Sequence, residues 1–346
     1  MKKYAKNLVF CSMVMISVLL LAGCAKKMTL DLSFGQRTGT YEGELQDGVP
    51  NGHGKFTTKN ENGDGWYYEG DWKDGHFNGE GATVWDSGQV ERGTYENDQL
   101  VPLSAEESGK LFTTPKKYLS HCVTLYGKIF AGPDYYDDVF QLLLYGDPQN
   151  YGKMFYVYYN ADDEAFDQGL QQGDIIQVTG TLDNAVDEDG NFVDTPFVPV
   201  IGAKSIEKVE YAQAFSKPLK TVEKEQSKTQ YGYQVKIDRI EFAEDETRLY
   251  MTVVNHGSGE FSVSSYRAKM LKDGAQYEGQ PNYIADYPQL SSDLMPGLQT
   301  EGVMTFPGLA DLNGSVQFIF DAYAASAWKN DEDLKPFEFT VEIPSE

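Results

Sequence analysis

Four histidines, three cysteines and fifty-three carboxylates are the residues of this 346-residue chain from which chemistry could be built. His53, His76, His121 and His256 stand far apart, and no His-Glu-x-x-His, Gly-x-Ser-x-Gly or phosphate-binding glycine loop surrounds them. An active site would therefore have to be assembled from distant positions. Two segments space their oxygen side chains in the manner of a calcium loop. In Asn60-x-Asn62-x-Asp64-Gly65 with Asp71, the first ligand is a neutral Asn and an Asp stands where a bidentate Glu belongs. The segment also runs on into a strand pattern, so a hairpin tip rich in Asn, Asp and Gly explains it without metal. Asp187-x-Asp189-Gly190-Asn191 with Asp194 has its glycine out of place. No catalytic residue, metal or cofactor is assigned.

The cysteines carry a different message. Lys2, Lys3 and Lys6 precede an apolar run over residues 8–22 that ends in Leu21-Ala22-Gly23-Cys24. A basic start, a short apolar core and small residues before a cleavage point make a secretory signal, here residues 1–23. The run is interrupted by Ser12 and Ser17 and is shorter than the ~20 residues of a spanning helix. Its ending resembles the lipobox of bacterial lipoproteins. That resemblance implies cleavage before Cys24 and diacylation of its thiol; the rival reading is an uncleaved anchor. Two acyl chains hold a protein at a bilayer where one does so only marginally. With Cys11 removed and Cys24 acylated, Cys122 would remain alone, excluding an internal disulfide and a thiolate metal site. Its apolar strand context marks it as a small buried hydrophobe.

What would organise the exported chain is a motif written twice. Tyr41, Gly43, Leu45, Gly48, Gly52 and Gly54 are matched by Tyr68, Gly70, Trp72, Gly75, Gly79 and Gly81, 27 residues on. A partial third copy places Gly93, Tyr95 and Asp98 at the offsets of Gly70, Trp72 and Gly75, with Glu91 where the others have Tyr. Each copy reads as a β-hairpin: aromatics two apart, a glycine turn, and a returning strand opened by Gly-x-Gly. The extra length between the first two copies falls at a longer tip over residues 60–65. The pattern resembles the MORN (membrane occupation and recognition nexus) repeat over residues 38–100. The resemblance implies a curved hairpin stack that contacts protein or lipid, with no single activity. Such stacks need capping, expected from residues 24–37, which include the tether, and from the helical connector over 101–115. Trp66, Tyr67, Trp72 and Trp85 are the candidate contact residues. The alternative is that Tyr41, Phe56, Trp72 and Tyr95 simply form the core of the stack.

Beyond the connector the pattern stays mainly β. Strand-like segments over 116–211, a short helix over 161–168 and Gly173-Asp174 before Val178-x-Gly180 resemble an OB-fold barrel. Tyr126, Phe130, Tyr156 and Tyr158 supply rings on it. A polar stretch over 212–230 reads as a linker. Strands then resume, including one over 261–271, with Asp273-Gly274 as a hairpin turn. Their order and the Met295-Pro296-Gly297 segment resemble an Ig-like β-sandwich found on secreted Gram-positive lipoproteins, covering 231–346.

Charge narrows the function. The chain carries −24, and removing residues 1–23 deletes three lysines and no acid, giving −27. Such a surface repels nucleic acid and anionic lipid. The expectation is a non-enzymatic lipoprotein, lipid-anchored on the extracytoplasmic face of the cell membrane through Cys24. It would bind or scaffold a protein or an envelope polymer and no nucleic acid. An envelope hydrolase or its accessory subunit is the alternative.

Overall fold

The computed structural model describes residues 25–60, 62–136, 139–147, 152–160, 169–186, 198–325 and 333–344. Cys24, the helix expected over 161–168 and the loop from Asp187 to Asp194 lie outside the described residues. The chain divides into two compact units. One runs through Glu107 and takes back Lys117–Val123; the other comprises Ser108–Lys116 and Thr124–Glu346.

In the first unit seven strands follow one another in simple antiparallel order: β1 (Lys26–Leu32), β2 (Gly35–Gln46), β3 (Val49–Lys59), β4 (Gly65–Lys73), β5 (His76–Trp85), β6 (Val90–Glu96) and β7 (Gln99–Leu100). The glycine-spaced copies are the hairpins β2–β3 and β4–β5. Their turns, Asp47-Gly48 and Asp74-Gly75, place both residues at positive φ, the twist that joins two right-handed strands most tightly. The longer tip falls where expected, between β3 and β4, and Asn60 closes it. Its backbone N–H donates to Asp64 O (2.8 Å) and its Oδ1 accepts from Asp64 N (2.9 Å).

Both ends of the sheet are covered by more chain than expected. The leading cap is a whole strand, β1, whose Leu30 and Leu32 enter the core. At the far side the third copy returns for only two residues in β7. The rest of that edge meets the segment that rejoins the unit, Arg92 N donating to Ser120 O (2.8 Å), and Leu103, just past β7, donates its N–H to Cys122 O (2.9 Å). The connector holds the expected short helix, α1 (Ala105–Gly109). Ser104 and Glu107 form a reciprocal cap at its start, the Ser Oγ donating to the carboxylate at 2.8 Å.

Five strands follow: β8 (Cys122–Tyr136), which enters the second unit at Thr124, β9 (Val139–Tyr145), β10 (Met154–Asn160), β11 (Ile175–Val186) and β12 (Val198–Lys208). They close into a barrel in the order β10-β12-β11-β8-β9, with β10 and β12 the parallel pair. Strand number and closure agree with the expected barrel. Leu142, Leu144, Phe155, Val157, Ile176, Val178 and Ile201 fill its interior.

The stretch 212–230 is not a linker. After α2 (Tyr211–Phe215), β13 (Lys220–Val222) and β14 (Gln226–Gln230) both pair with one edge of β15 (Tyr233–Phe242). They form a split edge strand, and edge strands tolerate the lysines and polar residues that gave this stretch its linker-like composition. β15 continues to β16 (Glu246–Asn255). The segment read as one strand over 261–271 is two: β17 (Phe261–Val263) and β18 (Lys269–Lys272), separated by a 3-10 turn over Ser265–Arg267. The remaining strands are β19 (Ala275–Glu278), β20 (Gln299–Pro307), β21 (Ser315–Phe320), β22 (Ala322–Ala324) and β23 (Phe337–Glu342). A sheet β13-β15-β16-β20, a sheet β19-β18-β21-β23 and the pair β17-β22 share one core. Asp273-Gly274 is the hairpin turn expected, again with both φ positive.

Candidate binding surface on the repeat sheet

The repeat glycines exist for the rings beside them. A Cβ at Gly54 would lie 2.1 Å from the Tyr41 hydroxyl, and one at Gly81 2.3 Å from that of Tyr68. Each tyrosine therefore lies flat over a glycine of the adjacent strand. Its hydroxyl donates three residues forward, Tyr41 to Glu44 O and Tyr68 to Asp71 O, at 2.9 Å in both copies. Burial, with a smaller push from Glu44, moves the Tyr41 hydroxyl up to about 12. Burial also moves Tyr95 up to about 12 and raises Tyr68.

Pairing register places the third copy where its glycine offset predicts. Gly93 faces Gly81 and Tyr95 faces Gly79, as Gly70 faces Gly54 and Trp72 faces Gly52. In place of an Asp-Gly turn it has Asn97-Asp98, both left-handed. Asp98, the counterpart of Gly75, turns a fully buried carboxylate inward. It accepts from Ser33 N, Phe77 N and His76 Nδ1, each at 2.7 Å. These bonds tie the β1–β2 turn and the start of β5 to the last repeat.

The four candidate contact residues separate. Trp72 is 3% exposed, with its indole N–H donating to Gly54 O at 2.9 Å. It belongs to the core together with Tyr41, Phe56, Tyr68, Phe77 and Tyr95 and is not a contact residue. Its bulk fills the space between Tyr41 and Tyr68, whose rings meet it edge-on at 5.2 and 5.3 Å. Trp66 and Trp85 face each other across β4 and β5 and are half-buried. Tyr67 points to the opposite face, where the Lys55 ammonium stands 3.6 Å from its ring centroid and 3.2 Å from Glu69.

Sequence reasoning missed Phe34. It is 45% exposed at the β1–β2 turn and packs edge-on against Trp66 with centroids 6.0 Å apart. Phe34 and Trp66 thus form an aromatic corner continuous with the core. A large apolar residue at a turn tip, where polar residues are the rule, was the signal available.

The other candidate chemistry disperses. His53 Nδ1 meets Asp71 at 3.1 Å on the open sheet surface, His76 is held by Asp98, and His121 Nδ1 lies 3.2 Å from Leu119 O. Asp71 sits within β4 opposite His53, so the extended strand carries it away from Asn60 instead of wrapping it back as a calcium loop would. Cys122 is buried. Among the described residues no group of three or more His, Cys, Asp or Glu side chains could hold a metal ion.

One buried ionic cluster in the second unit also had no sequence signal. Arg248, wholly buried, donates to Glu241 (2.9 Å), Glu246 (2.7 Å) and the Ser216 hydroxyl (2.8 Å). Tyr287 and Asn282 donate to the same Glu246 at 2.6 and 2.9 Å. Burial would lower the guanidinium, but its hydrogen bonds to the two carboxylates prevail and hold it above its ordinary value. Both carboxylate oxygens of Glu246 accept hydrogen bonds, while Nη2 of Arg248 is buried without a hydrogen-bond partner among the described residues.

Comparison with known proteins fits the repeat geometry. The MORN repeat family matches residues 41–62 and 68–90, the segments that build the two glycine-spaced hairpins; this chain carries MORN repeats. The comparison with curated proteins finds no match. Two solved structures are similar at low identity. One is a functionally unknown protein from Listeria monocytogenes EGD-e, 10% identical over 37% of this chain and 88% of that chain, TM-score 0.28. The other is a conserved domain protein from Bacillus anthracis, 8% identical over 92% of each chain, TM-score 0.29. Likeness at that level carries no argument about function. No helix among the described residues is long and apolar enough to cross a membrane.

Proposed function

We propose that the chain is a non-enzymatic lipoprotein, anchored through Cys24 at the extracytoplasmic face of the cell membrane, that binds or scaffolds a protein partner through its repeat sheet. The observation that carries this reading is the aromatic corner of Phe34 and Trp66, half-open beside the sealed rings of Tyr41, Phe56, Tyr68, Trp72, Phe77 and Tyr95. Large rings with one face packed and one free are the anchors around which protein interfaces form. The position of β1 adds to it. That strand starts at Lys26, two residues after Cys24, so an acyl anchor there would hold the sheet within about 7 Å of chain from the bilayer surface. The repeats would be presented at the membrane as a rigid body and not at the end of a long tether. The two-sheet region over 231–346, with β13 and β14 added to it, is read as the Ig-like domain of this lipoprotein.

The test joins anchor and surface. Labelled palmitate should enter the chain and be lost with Cys24→Ala. Partner capture by crosslinking on native membranes should fall at least about tenfold when Phe34 and Trp66 are both replaced by alanine. The same capture should survive replacement of Tyr67. Undiminished capture by the Phe34/Trp66 variant would remove the corner from the reading, and an unlabelled chain would remove the anchor.

A further inference from the structure

We propose that the β17–β22 end of the second unit is a binding groove for a neutral, hydroxyl-rich glycan chain. The turn that splits the expected 261–271 strand builds one wall. It carries Ser264, Ser265 and Tyr266, which line one cavity of about 540 Å³ together with Tyr323 of β22, the cross-strand partner of Ser262. Tyr266 is 67% exposed and Tyr323 62%, on the open side for a residue of ordinarily intermediate burial. Exposed rings beside clustered hydroxyls match the two-sided chemistry of a sugar, which has an apolar C–H face to stack and hydroxyls at its rim to hydrogen-bond.

The groove continues past this cavity. The Tyr266 hydroxyl is 2.8 Å from that of Tyr283, which is 78% exposed. Tyr283 lines a second cavity of about 530 Å³ with Gln280, Asn282 and Thr305. Two polar cavities joined by a pair of tyrosines suit a linear oligomer better than a single small ligand.

Charge selects a neutral one. Arg267 and Asp321 balance each other in the first cavity. In the second, Glu246 is engaged by Arg248, Tyr287 and Asn282, and Asp245 accepts from the Ser216 hydroxyl at 2.5 Å. A polyanion would meet the field of a chain carrying −24. An extended peptide would want a free strand edge. β17 offers none at Phe261, which pairs with Ala324 on one side and exchanges backbone hydrogen bonds with Leu294 on the other (3.0 and 2.8 Å).

The inference rests on the extracytoplasmic reading for its supply of glycan, but its test needs neither the anchor nor the repeats. Chitotetraose and cellotetraose are titrated calorimetrically into the full chain, held in a detergent without sugar headgroups. At least one should bind saturably. Tyr266→Ala and Tyr323→Ala should each weaken that binding by about tenfold or more at an unchanged unfolding temperature, and Tyr266→Phe, which keeps the ring, by less than about threefold. Absence of saturable heat with both sugars overturns the proposal. So does affinity indifferent to both alanine variants, or saturable binding of a neutral tetrapeptide in place of the sugars.

Discussion

The repeat sheet and the second unit bury polar groups in opposite ways. In the sheet, the Tyr41 and Tyr68 hydroxyls find acceptors three residues along their own chain, and Asp98 is satisfied mainly by backbone N–H groups at turns. In the second unit, Arg248 collects Glu241, Glu246 and Ser216 from three different segments, and Tyr287 and Asn282 complete the set from a fourth. The two complete copies thus satisfy their tyrosines inside one hairpin, a solution that can be copied with the sequence, and only Asp98 reaches back to the β1–β2 turn. The ionic cluster is assembled once, where β15, β16, Ser216 and the 282–287 segment meet. Breaking it should therefore cost more, and over a wider area, than breaking any single repeat contact.

The largest effect is expected at Arg248. Arg248→Ala leaves the nearly buried Glu246 without a cation and Glu241 with Arg239 alone, a loss of about 3–5 kcal/mol. Hydrogen exchange should speed up through β15 and β16 while the repeat peptides keep their protection. Fast exchange in the repeats too, or none in either, would erase the contrast between the regions.

A smaller effect should appear at the last repeat. Asp98→Ala removes the buried acceptor yet keeps a side chain in the left-handed region, and should destabilise the sheet by about 2–3 kcal/mol. Asp98→Gly restores the residue used in the other copies and relieves the backbone, so it should be milder by about 1 kcal/mol. Urea unfolding followed by the fluorescence of Trp66, Trp72 and Trp85 reads the difference. Equal losses would mean that the carboxylate alone, and not its conformation, distinguishes this turn.

The smallest concerns single hydroxyls. Tyr41→Phe and Tyr68→Phe should each cost about 1 kcal/mol, and nearly the same in both copies. Alkali supplies a parallel test. Tyr41 and Tyr95 hold their protons up to about 12 in the folded chain, against about 10 unfolded. The folded state therefore binds the proton more tightly, and its stability, fully present below pH 10, should fall as pH rises from 10 to 12. Unfolding curves in that window should become shallower in pH for Tyr41→Phe. A pH-independent midpoint would show that the rings open to solvent more readily than their packing implies.

The hairpins were legible because their instructions are local: Asp-Gly turns, aromatics two apart, and glycines where a neighbouring ring must lie flat. The strands of the barrel were legible from apolar alternation, and their closure only through the resemblance to an OB-fold. The role of residues 212–230 was not, since an edge strand and a linker share a polar composition and differ only in whether β15 lies alongside. Nor could spacing tell Trp72 from Trp66, because a bulge and the curvature of the sheet decide which indole is sealed.

The sequence by itself determined the repeat, its turns, the acidic surface and a mainly β chain, because each depends on interactions between residues close along the chain or on composition alone. Only the tertiary structure decided that Asp98 would be a buried tie, that Phe34 and Trp66 would form a corner, and that Arg248 would find its carboxylates. Those contacts join segments whose separation in sequence carries no periodic mark, and they exist only once folding has brought the backbones together.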